Sequence, residues 1–495
     1  MVMPKDYDKI VQLPPSDKVP FAAWKTLAIL SSIATMAMYA ETMLVPAIPD
    51  LIKDFSISYS SSSWILTTYL ITGAIMTPIS GKLSDIYGKK KVLLIIMAIY
   101  AVGVSVGGFS TSFNFMIVVR AIQGIGMSMF PIAFGIIRDQ FPKSKLAIGQ
   151  GIITSMFAAG AVIGLAVGGH IIQNYGWQAT FFSIIPVVIA LLIIIQRFIQ
   201  IEQKPHSSWN EDSIVVITKK PRIDIQGSVT LAISITSFLL ALTFIDSDSN
   251  SFLTQELLIL GAIYLTLFVI IERRAESPLI NFKILLHKSI LPANIMVMIV
   301  GLSMFMVFQT IPVLVRSPAP LGFGEDPLTT ANVQLPFALV LLIFGPTSGF
   351  IISKLGSVKP IIAGSIIATL GFSSLYLYHS TESLVAMNLA ILSTGLSLTN
   401  VGAMNIVMLS TPRQDSGVSL GMSTLIRIMG ASLGPAIAAM YMQTHQVQVN
   451  GLSGLFPSAD SYDLIFLTAA IISAASIVLA LILKKSVSNK PIVNV

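Results

Sequence analysis

Three charged residues lie deep within long uncharged stretches of this 495-residue sequence: Glu41, Arg120 and Arg427. Each stretch runs for about 20 residues, the length a helix needs to cross ~30 Å of hydrocarbon. A charge at that depth is costly unless it faces a cavity or a partner. A carboxyl there has two pulls on it: apolar surroundings favour the neutral acid, and a nearby guanidinium favours the carboxylate. At ~1.5 Å per residue, Glu41 and Arg120 each sit ~8 Å from the middle of their stretches, toward the same face. Glu41 is therefore a candidate proton carrier and Arg120 its modulator or relay partner, with a fixed structural pair, or a Glu reaching the surface, as the alternative for Glu41. Arg427 could meet an anionic ligand group or bond to neighbouring carbonyls. Gln309, Gln334, Asn400 and Asn405 could line a cavity with Met304, Phe305, Met306 and Phe308, although Met and Phe in such a stretch commonly serve packing.

The elements that position these residues follow from composition. The chain is 54% hydrophobic and only 11% charged, with a mean hydropathy of +0.82, far from a soluble domain with about 25% charge. Uncharged windows between polar breaks predict an all-α membrane protein of fourteen transmembrane helices. Six fall within 26–199. Two more, 226–246 and a short 256–272, lie in a central linker, 200–289, and six occupy 290–483, a 6 + 2 + 6 plan flanked by tails 1–25 and 484–495. Of the 30 Lys and Arg, 26 fall in the tails and in every second connection, and only Lys53 and Arg316 lie in the opposite loops. This bias places both termini in the cytoplasm and the chain in the cytoplasmic membrane. The first 24 residues are polar and show no cleavage pattern, so the first span reads as an uncleaved anchor. The net charge of +7 sits in these loops, in contact with lipid, and does not imply nucleic acid.

The chain also repeats itself. Pro78, Ser80, Gly81, Gly88, Lys91 and Gly103 recur 268 residues later as Pro346, Ser348, Gly349, Gly356, Lys359 and Gly371. Gly160 and Gly164 recur as Gly430 and Gly434 at an offset of 270. Two six-helix repeats are a transporter plan, with substrate held at their interface while the halves rock.

Between the second and third helices runs Gly81-Lys-Leu-Ser-Asp85-Ile-Tyr-Gly88-Lys89-Lys90-Lys91. Its glycines permit a tight turn and close helix approach, Asp85 can accept bonds from a helix N-terminus, and the lysines hold the loop at an anionic membrane face. This string resembles the loop motif of the major facilitator superfamily. Arg120-Ala-Ile-Gln123-Gly124-Ile-Gly126 resembles that superfamily's helix-four motif. The helix count narrows the resemblance to the fourteen-helix drug–proton antiporter branch, whose helix-one motif is similar to Ala40-Glu41-Thr42 through Ile48-Pro49, with Glu41 where Asp is typical. The resemblance implies alternating access driven by proton entry, Asp85 bracing the halves against the thirteenth helix near Gly417, and Arg120 taking part in proton coupling. The branch's helix-five motif carries a proline that Gly164-Leu165-Ala-Val-Gly168-Gly169 lacks. With Gly160 these glycines form a smooth face, which serves either an antiporter-specific step or plain helix packing.

The expected function is a proton-coupled antiporter exporting amphipathic small molecules, and a transporter of a specific metabolite or organic anion, by symport, is the rival. An intramembrane enzyme would need acid, base and nucleophile clustered at one depth, and only Glu41 with Arg120 approaches this. A sensor would carry a signalling domain, and no cytoplasmic segment exceeds about 30 residues. The chain has no cysteine, its five histidines show no ligand spacing, and it contains no phosphate-cradling Gly-x-x-x-x-Gly-Lys-Ser/Thr string, so neither a metal nor a cofactor is expected and an ion gradient supplies the energy. A monomer is expected.

Overall fold

A computed structural model describes residues 19–142, 146–199, 224–244, 251–275, 278, 280–411, 416–449, 451–452 and 454–488. Among them the chain is almost wholly helical. The first membrane element is α1 (Phe21–Thr42), a 3-10 turn (Val45–Ala47) and α2 (Ile48–Phe55). Pro46 and Pro49 explain the break, because each removes a backbone donor and its ring collides with the preceding turn. The expected span 26–47 is thus too short. The element continues to Phe55, its middle lies near residue 38, and Glu41 sits only ~5 Å from it.

Next come α3 (Tyr59–Tyr87), α4 (Lys89–Gly107), α5 (Phe113–Gly124), a 3-10 turn (Ile125–Ser128), α6 (Met129–Gln140), α7 (Leu146–Tyr175) and α8 (Gln178–Phe198). Polar N-caps start several of these: the hydroxyl of Ser58 accepts from the Ser61 amide and that of Ser112 from the Phe115 amide, satisfying donors that helix starts leave unpaired. The two extra helices are α9 (Ile225–Phe244) and α10 (Ser251–Arg274). At 24 residues, α10 is not the short helix expected, because it begins five residues earlier than the apolar window. After the short α11 (Phe282–Leu285) come α12 (Ile290–Arg316), α13 (Pro327–Leu355), α14 (Val358–Leu377), α15 (Glu382–Ser410), α16 (Ser416–Thr444) and α17 (Ala459–Ser488), with a hairpin of β1 (Gln446–Gln448) and β2 (Leu455–Pro457) before the last. Residues 484–488, read as tail, continue α17.

Thirteen helical elements among the described residues are long and apolar enough to cross a membrane. The 29-residue α3, free of charge from 59 to 81, is a fourteenth long helix.

The internal repeat is visible in the backbone. Gly88 (φ 92°) ends α3 and Gly356 (φ 73°) ends α13, both in the left-handed region where only glycine is comfortable. The second glycine pair recurs in its contacts. A side chain at Gly160 or Gly164 would run into α1, at Thr35 and Thr42, and one at Gly430 or Gly434 would run into α12, at Met298 and Leu302. These glycines let α7 lie on α1 and α16 on α12. Gly164→Ala should accordingly lower stability by ~1–3 kcal/mol through overpacking. Gly345→Ala should not, since nothing lies within 4 Å of its position. Thermal unfolding in detergent compares the two.

The helices before and after the central pair meet along two seams, α3 with α16 and α7 with α13. Hydrogen bonds across them gather at one end of the molecule. Gln309 Nε2 donates to Ser62 Oγ (2.8 Å), the Tyr59 amide to Gln443 Oε1 (3.1 Å), and Thr67 Oγ1 to the Ser432 carbonyl (3.3 Å). At the very end, Arg316 on α12 forks onto both carboxylate oxygens of Asp50 on α2 at 2.9 and 2.6 Å. At the opposite end, Lys89 pairs with Asp139 and donates to the Gly135 carbonyl, and Lys90 donates to the Gln196 carbonyl. All of these partners lie before the central pair. Among the described residues no side-chain hydrogen bond joins the seams at the Lys89 end. The extra helix α9 lies along the α3–α16 seam, where Trp64 Nε1 donates to Thr243 Oγ1 (2.9 Å) and Ile71, Leu239 and Ala436 form a small buried cluster.

Candidate transport site

Glu41 occupies the last turn of α1, just ahead of the proline break, and is 2% exposed. Arg120 lies in α5 and is fully buried. The break that follows it, Gly124 to Ser128, sets its position. A side chain at Gly124 would strike Thr72 and the Tyr69 backbone, and one at Gly126 would strike the Tyr100 ring, so these glycines let the chain sit against α3 and α4. Arg120 Nε donates to the Ile65 carbonyl (2.7 Å), Nη1 donates to Gln123 Oε1 (3.1 Å), and the guanidinium lies 4.7 Å from the centroid of the Tyr69 ring. Gln123 in the helix-four motif thus holds Arg120. No ion pair joins Arg120 to Glu41 among the described residues, although the two feel each other's field.

Tyr69→Leu removes the ring face beneath this buried cation and is expected to cost ~2 kcal/mol, the desolvated cation–π range, whereas Tyr69→Phe keeps most of it. Unfolding of the two variants tests this.

The structure joins a partner to Glu41 that sequence spacing did not suggest. Arg427, in α16, lines the same small cavity with Met38 and Glu41 of α1, Leu70 of α3, Met127 of the 3-10 turn, Phe157 of α7, Met304 and Phe305 of α12, and Ile428 and Ala431 of α16. Helices from both sides of the central pair contribute to it. Glu41 is the one carboxylate in that lining, and its charge interacts with both Arg120 and Arg427.

Other expected cavity residues lie elsewhere. Gln309, Gln334, Asn400 and Asn405 are not in the lining: Gln309 bonds across the seam to Ser62, Asn405 Nδ2 donates to Ser357 Oγ (2.7 Å), and Gln334 is buried with neither amide atom partnered. Met306 and Phe308 are core residues. Gly168 faces the Met43 backbone in α1's end, and Gly169 faces Pro327 and Ala331 across the seam. Gly81, expected to permit close approach, has nothing within 4 Å. The side chain of Asp85 and that of Gly417's neighbourhood, on which the bracing contact depends, lie outside the described residues. Sequence reasoning passed over Tyr69 and Tyr100, the aromatic walls near Arg120, and Glu272, a buried carboxylate at the end of α10 whose Oε2 accepts from the Ile280 amide (3.4 Å). Glu272 escaped notice because it lies at the edge of a weakly bounded span.

The family model of the Major Facilitator Superfamily matches residues 30–435. The chain is 26% identical over 83% of its length to the multidrug transporter protein MdtP of Bacillus subtilis, covering 74% of that protein. It is 25% identical over 90% of its length to the multidrug efflux pump LfrA of Mycolicibacterium smegmatis, covering 86%. Its fold matches a crystal structure of the human organic anion transporter MFSD10 with a TM-score of 0.63, at 13% identity, over 94% of this chain and 100% of that one. Two seams of helices around a cavity open to both halves, together with this match across most of the sequence, lead to one conclusion: the chain belongs to the Major Facilitator Superfamily and is a multi-pass membrane transporter, not an enzyme.

Proposed function

We propose that this protein exports amphipathic small molecules across the cytoplasmic membrane in exchange for protons, with both termini in the cytoplasm. The observation that carries the reading is that Glu41 is, among the described residues, the sole carboxylate lining the cavity between the two groups of helices. In exchange, substrate and proton compete for one site, and the protein changes face with either bound but not with the site empty and charged. An ionised Glu41 in apolar surroundings disfavours the passage between states, and protonation or a cationic substrate group relieves it. The names of the relatives, a multidrug transporter and a multidrug efflux pump, support the substrate class. The cavity's methionines and phenylalanines supply the adaptable, polarisable wall that varied substrates need.

The Lys and Arg bias assigns the Lys89 end to the cytoplasm. Bonds across the seams then close the external side, and Gly81, Asp85, Gly88, Lys89 and Lys90 form the loop that braces the halves when the cytoplasmic side closes. The cavity has room for little more than about one water, far below the ~300–1,000 Å³ usual for drug-sized ligands, so the halves part further to admit substrate.

Arg427 favours a second reading, uptake of an organic anion together with protons. Purified protein in sealed liposomes with an imposed pH gradient separates the two. Exchange predicts dye movement opposite to the proton gradient and proton release on dye addition. Movement down the proton gradient would sink the export reading.

A further inference from the structure

Glu41 and Arg427 stand in one cavity on helices from opposite halves, α1 and α16. The two arginines near Glu41 differ in their bonding. Arg120 is fully buried and bonded through Nε to the Ile65 carbonyl and through Nη1 to Gln123 Oε1, with the Tyr69 ring beside it and Nη2 left without a partner. Arg427 makes no side-chain hydrogen bond and no ion pair within 4 Å among the described residues. Arg427 is only half-buried, so its guanidinium is open to the cavity, and its planar fork matches a carboxylate. Apart from the acid and the cation the lining is apolar, with Met38, Leu70, Met127, Phe157, Met304 and Phe305 among it.

We infer that the cavity selects amphipathic zwitterions: the anionic group of the substrate docks on Arg427, its cationic group takes the Glu41 carboxylate in place of a proton, and its apolar body lies against the methionines and phenylalanines. This rests on the exchange reading and names the substrate class for it. The alternatives fail on charge. A simple cation at Glu41 leaves Arg427 uncompensated and is repelled by it. A simple anion on Arg427 draws a proton onto Glu41 rather than displacing one, so proton and substrate would travel together. A zwitterion answers both charges at no net charge and competes with the proton. It also links a wall of the first half to a wall of the second, so its binding energy differs between open and closed arrangements, which is what a ligand must do to shift such an equilibrium.

The test uses a matched pair of dyes: rhodamine 110, with a free carboxylate beside its cationic ring system, and rhodamine 123, its methyl ester and a plain cation. Binding to the purified full chain in detergent is read by fluorescence anisotropy. The wild type should bind rhodamine 110 about tenfold more tightly than rhodamine 123, the size of one charge-assisted hydrogen-bonded contact. Arg427→Gln should abolish that ratio by weakening rhodamine 110 and, with the repulsion gone, strengthening rhodamine 123, and Arg427→Lys should restore part of it. Thermal unfolding of both variants verifies that they are folded. A ratio near one in the wild type, a ratio unchanged in folded Arg427→Gln, or binding of neither dye would overturn the inference. Failure of the exchange reading looks different: rhodamine 123 movement in liposomes would then ignore both the pH gradient and Glu41→Gln, whatever the dye ratio.

Discussion

Glu41→Gln is expected to reduce pH-gradient-driven dye export from liposomes to the level of protein-free vesicles, while dye equilibration without a gradient persists. Glutamine has nearly the shape of a protonated glutamic acid, so the substitution leaves packing around the α1 break intact and removes only the ability to exchange a proton. Glu41 sits 2% exposed beneath the proline break, and among the described residues it is the carboxylate that lines the cavity. The neutral side chain also removes the charge that hinders an empty carrier from changing face, which is why downhill movement survives. Glu41→Asp, one methylene shorter, should keep coupling at a reduced rate. Full gradient-driven export by Glu41→Gln would remove Glu41 from the mechanism.

Breaking the Asp50–Arg316 fork should open the end of the molecule that it closes. The pair joins α2 to α12 through two short charge-assisted bonds, and each partner is roughly a quarter exposed, so it is screened but not fully solvated. Losing it is expected to cost about 2 kcal/mol of the closed arrangement, the range of hydrogen bonds to charged groups, or about 30-fold in the ratio of closed to open. Arg316→Gln should therefore shift the population, and the exchange Asp50→Arg with Arg316→Asp should shift it back. The chain has no cysteine, so spin labels can be placed at Lys53→Cys and Glu325→Cys, both exposed positions beside the pair, and their distance distribution read by electron paramagnetic resonance. A longer distance in Arg316→Gln, reversed in the swapped pair, is the expected result. An unchanged distribution would mean that the seam bonds of Gln309, Gln443 and Thr67 hold that end alone.

Helix number and type were legible because the signal is local: an uncharged run of about 20 residues needs no neighbour to be read. Ends were less so. Segment Ile48–Phe55 carries Asp50, Lys53 and Asp54, which hydropathy reads as loop, yet it is helical because Ile48 and Leu51 pack inward while Asp50 meets Arg316 and Asp54 accepts from Trp177 Nε1. The repeat was legible for a related reason. Gly88 and Gly356 each end a helix in a left-handed conformation that other residues avoid, so the same residue type stands at both places.

The candidate site divides along the same line. Glu41, Arg120 and Arg427 stood out from sequence alone because a charge in an apolar run is conspicuous wherever its partners are. Residue type and depth determined that much, along with the membrane, the helices and their doubled order. Which of the three share a cavity, which is already bonded, and that the polar Gln309 and Asn405 turn to other helices instead, depended on tertiary structure. Glu41 and Arg427 are separated by most of the chain, and their walls come together through the packing of α7 on α1 and α16 on α12, at Gly160, Gly164, Gly430 and Gly434, and of α3 on α16 and α7 on α13 across the seams. Side-chain direction on a helix apolar on all sides carries no periodic mark in the sequence, so the facing of each residue is decided when the helices meet.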